Sequence, residues 1–153
     1  MKLLLDSHTV IWWIDQHSFL SPDAHAAIAN PKNDLLVSAA TIWEIGIKVG
    51  IGKLTLSRPY RDWMNQAIAD LRPTTLPVSV EYTQVQINLP QHHGDPFDRL
   101  LVAQALSEPD DRVGNVTNAT AVDRFGPVIG GKQLKVHHQG SVTAAWVVVA
   151  QQR

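Results

Sequence analysis

The chain has 153 residues, 44% of them hydrophobic, and a formal net charge of −1; that length suits one compact domain and leaves little room for a second core. Zero cysteines exclude disulfides, thiolate metal centres and cysteine nucleophiles, and the near-neutral balance excludes a global basic field for holding nucleic acid. No run approaches the roughly 20 apolar residues of a membrane span, and three leucines before Asp6 are too few for a signal peptide, so a soluble cytoplasmic protein is expected.

Leu3-Leu4-Leu5 reads as a short strand buried on both faces of a parallel sheet, ending at Asp6. Ser7-His8-Thr9 offers a helix cap before Val10-Ile11-Trp12-Trp13-Ile14, and a second short helix is predicted between Ser21-Pro22-Asp23 and Asn30-Pro31. Leu35-Leu36-Val37 predicts the second strand, followed by a helix capped by Ser38, running through Glu44 and ended by Gly50 and Gly52. Tyr60, Trp63, Met64, Ala67 and Leu71 recur at helical spacing before Pro73. Leu76-Pro77-Val78 is read as a third strand, 80–88 as helical, and Leu89-Pro90 as a break.

The firmest helix start is Asp95-Pro96-Phe97-Asp98, with Asp95 at the N-cap, Pro96 at the first helical position and Asp98 in the first turn. Val113 to Thr117 is predicted as a further strand and Thr120 to Phe125 as a short helix. Lys132 to His138 and Ser141 to Ala150 could pair as a hairpin about Gln139-Gly140. Strands alternating with helices imply an α/β fold with a parallel sheet and right-handed crossovers, whose sites lie beyond the carboxyl ends of the strands.

Asp6 stands at such a place, and with Glu44 and Asp98 it makes three acids, each at the start of a helix or just after a hydrophobic strand, that can converge at one edge of the sheet. If they converge, two carboxylates about 4 Å apart repel by roughly 4 kcal/mol at an effective dielectric near 20, so the site must bind a cation or hold a proton. Hard oxygen donors favour Mg²⁺ or Mn²⁺ over zinc, and Mg²⁺ meets phosphate substrates, which makes phosphodiester chemistry the first hypothesis.

The segments LLLDSHTVIWW, SAATIWEIGIKVGIGKL and LPQHHGDPFDRLLVAQAL together resemble the PIN-domain endoribonucleases, specifically the VapC toxins of type II toxin–antitoxin pairs, from Met1 to about Leu106. The resemblance implies a parallel sheet flanked by helices in three α/β/α layers, Mg²⁺- or Mn²⁺-dependent RNA cleavage, and neutralisation by a cognate VapB-type antitoxin. Carried over residue by residue, it makes Asp6, Glu44 and Asp98 the metal-holding catalytic acids. Relatives place a fourth Asp in a Thr-x-Asp segment; here Val116-Thr117-Asn118-Ala119 puts Ala119 at that position, with Asn118 one place off and Asp123 about a turn further on. The domain boundary is expected near 129, leaving 130–153 as an atypical extension, disordered or a hairpin. Structured RNA with a single-stranded loop is the implied substrate, tRNA being one candidate.

Each signal also has a plainer reading. Asp98 in a first turn favours the helix dipole, and Asp95 and Asp6 can serve as caps. Glu44 stands among Ile42, Trp43, Ile45 and Ile47, where a merely solvated carboxylate needs an outward face. Neither His92-His93 nor His137-His138 has zinc-ligand spacing. Trp12, Trp13, Trp43 and Trp63 suit a core or a homodimer surface better than base stacking. Lys48, Lys53, Arg58, Arg61 and Arg99 are candidate phosphate contacts. Gly126 to Lys132 has P-loop spacing up to its lysine, but Gln133 replaces the Mg²⁺-binding Ser or Thr. The rivals to a nuclease are therefore a catalytically impaired PIN-like module that binds antitoxin or RNA, motivated by Ala119, and an NTP-binding protein using that loop.

Overall fold

The computed structural model describes residues 2–89 and 95–108, together with the backbone of 146–148. In chain order the elements are β1 (Lys2–Leu5), α1 (Ser7–Ile14), α2 (Pro22–Ala29), β2 (Asp34–Ser38), α3 (Ala39–Gly50), α4 (Tyr60–Leu71), β3 (Thr74–Leu76), α5 (Val80–Ile87), α6 (Pro96–Ser107) and β4 (Trp146–Val148). All pairings are parallel, in the order β3-β2-β1-β4. Leu5 lies beside Val37, and Val37 beside Thr75, so the carboxyl ends of β1, β2 and β3 form one edge.

Period-two alternation along β1 divides the core between the two faces of the sheet. Leu3 and Leu5 join Val37 in one buried cluster with Val10 of α1, Ala24 and Ile28 of α2, Ile45 of α3, and Trp63, Met64, Ala67 and Leu71 of α4. Leu4 points the other way and packs with Leu36, Leu76, and Leu101 and Ala105 of α6. Helices α1 to α4 thus cover one face and α6 the other, giving the expected three layers. A third cluster, Leu89 with Val102 and Ala103, joins the end of α5 to α6. Six consecutive residues of α6, Leu100 to Ala105, are buried, as expected for a helix enclosed on more than one side.

Local chemistry explains the boundaries. Ser21, Ser38, Ser79 and Asp95 each cap a helix with a side-chain oxygen on a backbone N–H, and Pro22 and Pro96 occupy first-turn positions where no N–H is needed. After α3 the chain turns through Ile51 to Gly52, whose φ of 71° is the left-handed conformation glycine adopts without penalty. The third strand is Thr74–Leu76 rather than Leu76 to Val78: Pro77 has no N–H to add to a ladder, while β-branched Thr74 and Thr75 suit it. Residues 146–148, in the predicted second hairpin arm, run parallel to β1. The other predicted arm, the strand at 113–117, the helix at 120–125, the boundary near 129 and the 126–132 loop lie outside the described residues.

Candidate functional site

Asp6 follows directly on β1 and is the N-cap of α1, the plainer of its two sequence readings, while Ser7-His8-Thr9 form the first turn of the helix. Its Oδ1 accepts the Thr9 backbone N–H at 2.8 Å, and its Oδ2 lies 3.6 Å from Nδ1 of His8. The residue is 4% exposed. A nearly buried carboxylate is tolerated here because backbone N–H groups and the positive end of α1 face it.

Glu44 lies in the second turn of α3, which leaves the same sheet edge through Ser38. Its Oε1 is 2.6 Å from the ammonium of Lys48, one turn further along, and its side chain is 12% exposed. Thr41, one turn earlier on that helical face, is buried, and its hydroxyl has no hydrogen-bond partner among the described residues. A buried hydroxyl left unpaired costs about 1–3 kcal/mol, so Thr41 keeps an unused hydrogen-bonding atom one turn from Glu44.

Asp98 is half-buried in the first turn of α6, with its N–H donated to Oδ1 of Asp95 at 3.2 Å. Helix α6 meets α3 through a T-shaped contact between Phe97 and Trp43, ring centres 5.6 Å apart, so the residues preceding Asp98 and Glu44 touch. The structure therefore sets Asp6 and the start of α3 side by side and ties α3 to the first turn of α6. Among the described residues, however, no three His, Asp or Glu side chains form a group able to hold one ion. Glu44 is engaged by its own helix instead.

The candidate phosphate contacts divide. Lys53, Arg58 and Arg61 are exposed. Arg99 donates through Nη2 to the carbonyls of Gln86 and Leu89, at 2.9 and 3.1 Å, and so pins the end of α5 to α6. Trp63 is fully buried, its Nε1 donating to Asp15 at 2.9 Å, and Trp12 is buried against Phe19 and His17. Trp43 is 65% exposed. His92, His93, His137, His138, Asn118, Ala119 and Asp123 lie outside the described residues.

Two open clefts lie at the other end of the molecule. One, of about 560 Å³, is lined by Trp12, Trp13, His17, Leu20, His25 and Asp70; the other includes Asp34 and Thr74, at the starts of β2 and β3. None of the three acids lines either.

Sequence reasoning missed Thr41, although its place three residues before Glu44 on one helical face was readable. Taken singly, these carboxylates and the Thr41 hydroxyl are hard oxygen donors with no thiolate among them, the donor type a hydrated divalent cation prefers.

Comparison with known proteins identifies the family. The family model described as PIN domain matches residues 3–113. Ribonuclease VapC22 of Mycobacterium tuberculosis is 33% identical over 105 residues, which is 68% of this chain and 78% of that protein. Among solved structures, VapBC2 from Rickettsia felis, bound to a DNA fragment from its promoter, superposes with a TM-score of 0.51 over 69% of this chain and 81% of that one; at 15% identity this bears on the fold. A family model matched over more than half of the chain, with a ribonuclease one-third identical over 105 residues, shows that the chain belongs to the PIN-domain family, among the VapC ribonucleases.

Proposed function

We propose that this protein is a divalent-metal-dependent endoribonuclease, the toxin of a type II toxin–antitoxin pair. The observation that carries the reading is the nearly buried Asp6 carboxylate at the carboxyl edge of β1, beside the start of the helix bearing Glu44, in a chain 33% identical to a ribonuclease over 105 residues. Asp6, Glu44 and Asp98 are the residues proposed to hold Mg²⁺ or Mn²⁺. When bound, such an ion lowers the pKa of water and stabilises negative charge on a phosphate.

The chain's own contribution is positional. The Thr9 N–H fixes one oxygen of Asp6, leaving Oδ2 turned toward His8, and Arg99 holds α6 so that Asp98 keeps its place in the first turn. Exposed Lys53, Arg58 and Arg61 supply local positive charge for an RNA backbone on a chain with no net basic field. A VapB-type antitoxin is the proposed partner, in line with the VapBC2 assembly. The exposed stripe of Trp43, Ile47 and Ile51 along α3 supports the proposed homodimer.

The test is RNA cleavage by the purified chain with Mg²⁺, Mn²⁺ or EDTA, beside Asp6→Asn and Asp98→Asn. Asparagine caps helices about as well as aspartate, so Asp6→Asn keeps the fold and isolates the charge. Both variants are expected to lose about two to four orders of magnitude in turnover. Full activity in either, or in EDTA, rejects the assignment. A parent without turnover that gains it through Ala119→Asp would favour the impaired binding module.

A further inference from the structure

We propose that Lys48 is a resident counter-ion of the acidic site: its ammonium occupies Glu44 while no divalent cation is bound, and must withdraw for one to bind. The inference rests on the reading of Glu44 as a metal ligand. It makes metal loading a competition between an ion and the chain's own lysine.

The geometry is specific. The Lys48 ammonium stands 2.6 Å from Glu44 Oε1, and the two side chains are 31% and 12% exposed. Their helical face also carries fully buried Ile45 and buried Thr41, with its unpaired hydroxyl, so the carboxylate is largely removed from solvent. A cation held there is screened less than on an open surface. The Lys48 backbone is fixed, because its carbonyl accepts both the Lys53 and Leu54 N–H groups, at 2.8 and 3.0 Å. Only the side chain is left to move, and lysine carries its charge on a flexible four-carbon stem.

A monovalent and a divalent cation on one half-buried carboxylate repel strongly, so simultaneous occupancy is disfavoured. An ordinary Glu-to-Lys pair at i,i+4 also stabilises a helix. The two roles differ in one respect: a helix-stabilising pair alone has no coupling to metal.

Mn²⁺ titration calorimetry on the full chain separates them, using the parent, Lys48→Met, Lys48→Gln and Glu44→Gln. Both Lys48 variants are expected to bind Mn²⁺ about tenfold more tightly than the parent. They should also melt at lower temperature than the parent without metal, with the gap narrowing at saturating Mn²⁺. Affinities within about twofold of the parent, or weaker, overturn the proposal. If Glu44→Gln weakens Mn²⁺ binding in that case, Glu44 stands as a ligand and Lys48 is only a helix partner. If Glu44→Gln leaves Mn²⁺ affinity unchanged, the reading beneath the proposal falls as well. Because the Met and Gln variants differ in polarity but both lack the charge, misfolding of one leaves the other decisive.

Discussion

Asp6 combines two tasks in one carboxylate: Oδ1 starts a helix and Oδ2 remains directed toward His8 at the sheet edge. Removal by alanine would therefore mix loss of a cap, about 1 kcal/mol, with loss of a charge. Tyr82 shows a different coupling, at the opposite end of α6. Its hydroxyl donates to Glu108, which also pairs with Lys2 at 3.5 Å. That hydrogen bond, helped by partial burial and by the Glu108 charge, pushes Tyr82 up to about 12 from 10.0. The folded state holds the proton longer than the unfolded chain, so this stability is complete below pH 10 and is lost as pH rises toward 12. Tyr82→Phe should cost about 1 kcal/mol at pH 8, and the gap to the parent should close above pH 10. Urea unfolding across that range checks it, and a gap that stays constant with pH contradicts it.

At the scale of elements, α6 is the most consequential helix, since it covers one sheet face and brings Asp98 toward α3. Leu101 packs with Leu4, Leu36 and Leu76. Leu101→Ala is expected to destabilise the fold by about 2–5 kcal/mol in urea unfolding, whereas Ile87→Ala, at an exposed position, should stay within about 0.5 kcal/mol. The helix starts were legible because caps are local: Ser21-Pro22, Ser38 and Asp95-Pro96 each carry their own signal. The third strand was displaced by two residues because Leu76-Pro77-Val78 is apolar enough to suggest a strand, while the missing N–H of Pro77 decides against it. Glu44 and Lys48 are one turn apart in the sequence, where Lys48 equally suits a phosphate contact. Their pairing, like the commitment of Arg99 to the end of α5, depends on side-chain direction and neighbours. For the same reason, spacing placed three acids at one edge but could not determine how closely they approach.

Across the whole molecule, Trp43, Ile47 and Ile51 leave one side of α3 apolar and uncovered among the described residues, and the homodimer proposed from it is open to measurement. Sedimentation at micromolar concentration should give twice the chain mass for the parent and the single mass for an Ile47→Lys, Ile51→Lys double variant. A monomeric parent contradicts the dimer without touching the fold.

The two-sided burial of β1 has one more consequence. With leucine at all three inner positions, a slip of one residue would swap the half-cores yet present each with the same kind of side chain, so oiliness alone leaves the alignment of this strand undecided. What fixes it is a polar end: Lys2 is moored to Glu108 at the end of α6, and a slip of the strand would carry the lysine away from that partner.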